Sequence, residues 1–352
     1  MVKNNPSNYH DEVMKNNIIK IREVMATLPP FCKQYFRGIE EYTSTRTRLS
    51  YAYDIRLFFE FLHEKNPVLN KKDITSYELS VLDMVSREDI EEYLEYLSLY
   101  EHGDKEITND ERGKARKLSS LRSLYKYFYT SELITTNPPS LVAPPKIHEK
   151  EIIRLEPDEV AILLDMVEEG ENLTKSQLKF HNKTKYRDVA LLTLLLGTGI
   201  RVSECVGLDI DNIDFNTHGI LIKRKGGKEQ MVYFGDEVNT ALLDYLEIRR
   251  NIIPEPGSEK ALFLSLQNKR LCVRSVEKLV KKYASNVTSI KKITPHKLRS
   301  TYGTSLYRET GDIYLVADVL GHKDVNTTKK HYAAIEDDRR RQAANIVKLR
   351  DT

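Results

Sequence analysis

Several absences narrow what this sequence of 352 residues encodes. No apolar run is long enough to cross a membrane. The best stretch, residues 189–200, is interrupted by Thr and Gly and reads as a buried helix. Only three cysteines occur, Cys32, Cys205 and Cys272, too far apart for a zinc spacing and odd in number, so all three read as reduced thiols. The first ten residues are polar and lack the basic-then-apolar layout of a secretory leader, so the expected compartment is the cytoplasm, without a membrane partner. There is no P-loop, no Asp/Glu cluster suited to Mg²⁺ and no Cys/His metal spacing, so neither cofactor nor metal is expected. Internal repeats and low-complexity tracts are missing too. The net charge is only +3, which by itself marks no class of partner; clustering of Lys and Arg has to do that.

What is present is a chain 40% hydrophobic and 30% charged, able to bury real cores and long enough for two domains. Residues 137–146 carry four prolines and read as a stiff extended linker, which places a helical domain at 1–140, the linker at 141–150 and a second domain at 151–352. Before the linker, amphipathic patterns predict helices over about 11–25, 44–64, 86–99 and 108–131, with Leu49, Tyr53, Leu57, Phe58 and Phe61 as core of the second. The fourth is loaded with Arg112, Lys114, Arg116, Lys117, Arg122 and Lys126 opposite an apolar side, a pattern that fits a solvated face and a phosphate-tracking face equally well.

After the linker, Glu156-Pro157 opens a helix, and a long helix is expected over about 185–196. Thr198-Gly199-Ile200-Arg201 breaks it and starts a short helix. Residues 220–223 and 230–234 are β-rich runs joined by a tip, 224–228, with two glycines and basic residues, which predicts a hairpin. Helices resume near Asp236, Val273, Pro295, Tyr314 and Thr328. The fold class is therefore mainly α, with a small antiparallel β element in the second domain.

Five groups in the second domain carry chemistry. Arg201 stands at a helix N-terminus, where free N–H groups already favour an anion, with Glu204 one turn on to hold its guanidinium. Lys225 and Lys228 flank the two glycines of the hairpin tip. His296 and Arg299 share one helical face, and two donors side by side favour an anion between them. His322 follows Gly321, and Tyr332 is one of 20 tyrosines. Taken singly, most of these read as a surface pair, a solvated turn or core. Together they form a phosphate-binding set with proton donors and acceptors. A metal-free phosphoryl-transfer site needs such a set, plus a nucleophile whose proton a dense positive pocket can remove.

The order Arg … Lys … His-x-x-Arg … His … Tyr resembles the tyrosine recombinase (phage integrase) family. Thr198-Gly-Ile-Arg-Val-Ser-Glu-Cys-Val-Gly-Leu208 is similar to its first arginine box, Lys225-Gly-Gly-Lys-Glu229 to its hairpin lysine, Thr294-Pro-His-Lys-Leu-Arg-Ser-Thr301 to its second box, and Leu320-Gly-His322 followed by Tyr332 to its last. Tyr332 lies ten positions after His322, where many members have nine. Within the family the layout resembles the Xer recombinases, and the added stretch at 173–188 resembles the single-recombinase Xer proteins of streptococci and lactococci. The resemblance implies a core-binding domain before the linker, a two-domain clamp on DNA, and no small-molecule substrate. It implies Tyr332 as nucleophile, with Arg201, Lys225, His296, Arg299 and His322 as its catalytic partners. It implies a double-stranded recombination site and a homotetramer on two duplexes, and a C-terminal helix over 336–350 that packs in its own domain or on a neighbouring protomer. Two alternatives share these residues, a type IB topoisomerase that relaxes DNA without partner exchange and a non-catalytic DNA-binding regulator.

Overall fold

The structure is a computed structural model that describes residues 9–148, 153–224, 227–288, 290–322 and 325. It divides into two compact units, Met1–Lys150 and Glu151–Thr352. Both are mostly helical, the expected class, and the small antiparallel sheet of the second unit is as expected, whereas the two-stranded one of the first is not.

In the first unit, α1 (Tyr9–Met25), α2 (Cys32–Gly38), α3 (Thr45–Lys65), α4 (Val81–Met84) and α5 (Arg87–Tyr96) precede a two-stranded hairpin, β1 (Tyr100–His102) and β2 (Lys105–Ile107), followed by α6 (Glu111–Thr130) and α7 (Pro138–Leu141). The long helices begin where capping side chains satisfy their first N–H groups: Ser44 accepts from Thr47, Ser86 and Asp89 cap each other's backbone, and Asp110 accepts from Gly113. Their apolar stripes meet in one core, with Phe58, Phe59 and Phe61 of α3 and Leu121, Leu124, Tyr125 and Phe128 of α6 essentially sealed from solvent. Tyr53, expected in that stripe, is instead exposed.

The proline-rich stretch departs from the expected extended linker. It begins as α7, with Pro138 and Pro139 buried in the first unit. Proline in a first helical turn forfeits only an N–H that would have had no helical partner. Arg122 donates from Nε to the Pro139 carbonyl (2.9 Å) and from Nη2 to that of Val142 (2.5 Å), which fastens the turn to α6. Only 143–148 run without helix or strand.

The second unit contains α8 (Pro157–Glu169), α9 (Lys175–Thr198), α10 (Val202–Gly207), a sheet of β3 (Ile213–Asp214), β4 (Gly219–Lys223) and β5 (Glu229–Tyr233), then α11 (Asp236–Arg249), α12 (Val273–Val287), α13 (Pro295–Thr310) and α14 (Ile313–Leu320). The sheet is antiparallel in the order β3-β4-β5, with Ile220 opposite Val232 and Ile222 opposite Gln230. Helix α9 starts ten residues before the expected position. Its first half is polar, so apolar periodicity conceals it, but Thr174 and Gln177 form a reciprocal cap there. The buried polar groups of that half are satisfied: His181 meets the Val167 carbonyl, and Thr184 donates to Asp188 further along, which also accepts from Arg187 and Tyr283. Among the described residues, no helix is long and apolar enough to cross a membrane.

Candidate active site

The site begins where α9 hands over to α10. Gly199 ends α9 at φ +61°, in the left-handed region, and a Cβ there would fall 2.4 Å from the Tyr302 ring, so only glycine fits. Two residues later Arg201 is the N-cap of α10. Its backbone N–H donates to Glu204 Oε2 and its Nη1 to Oε1, both at 2.8 Å. The carboxylate expected to hold Arg201 therefore does so twice. Glu204 is buried, whereas the Arg201 side chain keeps 40% of its surface exposed.

From α13, Arg299 enters the same place. It is buried, and its Nη1 reaches across 100 residues of sequence to donate to the Gly199 carbonyl at 2.6 Å. Its Nη2 donates to the carbonyl of Leu320. His296 sits one turn earlier, at the exposed start of α13 behind Pro295. Helix α14 ends at Gly321, also left-handed at φ +61°. The Gly321 carbonyl lies 3.5 Å from Arg201 Nη2, and the His322 N–H donates back to Ala317 at 2.9 Å. Arg201, Arg299 and His322, far apart in sequence, thus meet at the C-terminal end of α14.

A third arginine, absent from the expected set, completes the cluster. Arg224 follows β4 and is buried; its Nη1 donates to Glu204 (3.3 and 3.4 Å) and to the Leu320 carbonyl (3.2 Å), and its Nη2 to that of Val319 (3.0 Å). Burial pulls its pKa down, with Glu204 opposing, yet a guanidinium so partnered stays charged. In sequence it is one more cation in a basic turn, and nothing in that run marks it as buried. Two guanidiniums, Arg201 and Arg224, therefore share the Glu204 carboxylate, and all three arginines reach a helix end whose carbonyls carry about half a negative charge. The surplus is positive, and the partly open Arg201 is where an anion can meet it. Lys225 and Tyr332, expected in this site, lie outside the described residues, as does the C-terminal segment at 336–350. Lys228 is exposed beyond the hairpin turn.

On α6 of the first unit, Arg112 and Lys126 are exposed and Lys114 donates to Ser98 at 2.6 Å. Arg116 is ion-paired with the buried Asp54. Lys117 is itself buried and donates to Asn109 at 2.7 Å, and Arg122 is committed to the α7 carbonyls. Lys117 and Arg122, both expected on a DNA-facing side, are thereby corrected to internal roles.

A mostly helical unit that gathers arginines around a helix end next to a histidine defines a phosphate-directed site. Comparison with known proteins specifies it. The phage integrase family model matches residues 154–339. The tyrosine recombinase XerC of Caldanaerobacter subterraneus subsp. tengcongensis is 32% identical over 331 residues, 90% of this chain and 86% of the relative. The tyrosine recombinase XerS of Streptococcus agalactiae is 31% identical over 353 residues, 93% of this chain and 98% of the relative. Among solved structures, the XerH recombinase bound to palindromic difH substrate shares the fold at TM-score 0.61 and 17% identity, covering 98% of both chains. The Tn1549 transposon integrase in complex with circular intermediate DNA does so at TM-score 0.61 and 20% identity, covering 86% of this chain and 95% of that one. The chain belongs to the phage integrase family and is a site-specific tyrosine recombinase similar to the Xer group.

Proposed function

We propose that the chain cuts and rejoins DNA strands at a specific site through a 3′-phosphotyrosyl link to Tyr332. The Tyr332 hydroxyl oxygen bonds to the scissile phosphorus, the bond to the 5′-oxygen breaks, and the tyrosine proton passes to His296 while Lys225 protonates the leaving oxygen. Arg201 and Arg299 clamp the non-bridging oxygens and His322 hydrogen-bonds the phosphate. The phosphodiester energy is kept in the protein–DNA bond, so a 5′-hydroxyl of a partner strand reverses the step without ATP. Two such rounds give strand exchange through a Holliday junction, performed by four copies on two duplexes. The exposed Arg112 and Lys126 and the half-buried Lys114 of α6, with Lys228, track the DNA backbone, and the enzyme works in the cytoplasm on chromosomal or mobile-element DNA.

The observation that carries this reading is the convergence of Arg201 and Arg299 on the neighbouring carbonyls of Gly321 and Leu320, immediately before His322. Trapping on a nicked suicide duplex tests it. The wild-type chain forms a covalent DNA adduct and Tyr332→Phe forms none. An adduct with the Phe variant, or none with the wild type, overturns the assignment.

A further inference from the structure

Arg224 is bonded through its side chain to Glu204, Gln230, Val319 and Leu320. Its backbone closes the hairpin: the N–H donates to the Lys228 carbonyl at 2.7 Å, and its carbonyl accepts from Gly227 at 3.1 Å. All three nitrogens of its side chain are engaged, Nε on Gln230 Oε1 at 3.1 Å, Nη1 on Glu204 and Leu320, and Nη2 on Val319. The guanidinium lies against bare backbone, since a Cβ on Gly321 would stand 2.8 Å from its central carbon. One side chain thus touches the hairpin, the carboxylate of α10 and the end of α14.

The charge arithmetic gives this contact a consequence. Glu204 alone with Arg201 would be a closed ion pair, and a closed pair has little charge left for a third group. Arg224 takes part of the same carboxylate, so Arg201 retains positive charge toward its exposed side. It also fixes Glu204, and hence the Arg201 backbone and fork, relative to the helix end that accepts from Arg299.

We propose that Arg224 is a positioning residue for DNA cleavage, dividing the charge of Glu204 and locking the hairpin base to α10 and α14 so that Arg201 is presented to the scissile phosphate. This rests on the reading that Arg201 contacts that phosphate. Lysine replaces it only in part, because one point donor cannot reach all four partners.

The test uses the full chain and a nicked suicide duplex built on the genomic segment that the wild-type protein selects. Single-turnover adduct formation is measured on the ordinary phosphodiester and on a neutral methylphosphonate at the scissile position, with DNA affinity and melting temperature alongside. Arg224→Ala slows cleavage of the phosphodiester about 100-fold, the size of effect expected when a reacting group is misplaced by an ångström. On the methylphosphonate, which has no anionic charge to meet, the deficit shrinks to within about tenfold, as it does for Arg201→Ala. Arg224→Lys is intermediate, and it carries the same comparison if the alanine variant does not fold. A rate equal to wild type in Arg224→Lys, or a deficit equal on both substrates, overturns the proposal, because a merely structural residue slows both alike. Should Arg201→Ala itself show no recovery on the neutral substrate, the reading of Arg201 is what fails.

Discussion

Helix α6 and the arginine cluster of the second unit treat cations in opposite ways. On α6 the basic residues crowd one short sequence, and the fold disperses them: Lys117 and Arg122 into internal hydrogen bonds, Arg116 onto Asp54, Arg112 and Lys126 into solvent. In the second unit Arg201, Arg224 and Arg299 come from three separate elements, and the fold converges them on Glu204 and the end of α14. Density in sequence is not density in space. What separates a functional cation from a structural one is whether its own unit already supplies the matching negative charge.

The largest effect comes from breaking the convergent side. Arg201→Ala lowers single-turnover cleavage by about 10²–10³-fold, the usual loss when one charge-stabilising donor is removed, while DNA affinity falls little. Cleavage and equilibrium binding measured on the same duplex separate the two. If affinity falls as far as the rate, Arg201 serves binding and the comparison between regions weakens. Arg299→Ala does more, since it also takes the Arg299 donor from the Gly199 carbonyl and leaves the Leu320 carbonyl with Arg224 alone. Besides losing cleavage, it destabilises the fold by about 1–3 kcal/mol, read as a lower denaturation midpoint.

The dispersed side sharpens next. Arg112→Ala and Lys126→Ala each reduce the slope of log affinity against log salt by about one phosphate contact, with unchanged melting. Lys117→Met and Arg122→Met leave the salt slope alone and lower stability by about 1 kcal/mol each. A salt slope that responds to Lys117 would return it to the DNA face.

This asymmetry explains what could be read from sequence. Helices α3, α5 and α6 of the first unit announce themselves because Ser44, Ser86 and Asp110 cap strong apolar stripes, whereas the short α2 and α4 do not. The pair Arg201–Glu204 is legible for the same reason, being a local contact within one helical turn. Arg224 is not, because its partners Val319 and Leu320 lie some 95 residues away and no local pattern encodes them. The first half of α9 hides for a different cause: its buried positions are polar, His181 bonded to the Val167 carbonyl and Thr184 to Asp188, and so mimic an exposed face. The prolines of α7 mislead because proline forbids a helix interior but suits its first turn.

The smallest effect probes the acid that anchors the dispersed side. Asp54 is buried between α3 and α6, where it accepts from Arg116 and Ser120. Burial pushes its carboxyl above the ordinary value, and Arg116, Ser120 and Lys117 offset that only in part. The folded protein therefore holds a proton on Asp54 at a pH where the unfolded chain has released it. The stability from this group is fully present below the ordinary carboxylate value and is lost as pH rises through the raised one. Asp54→Asn, neutral throughout, lacks that dependence. The difference in unfolding free energy between wild type and variant, followed by denaturant titration from roughly pH 4 to 7, should shift against the wild type as pH rises. A flat difference would mean that Arg116, half in solvent, already compensates the carboxylate fully. The ion pair on α6 would then be a balanced one, in contrast to the divided carboxylate of Glu204.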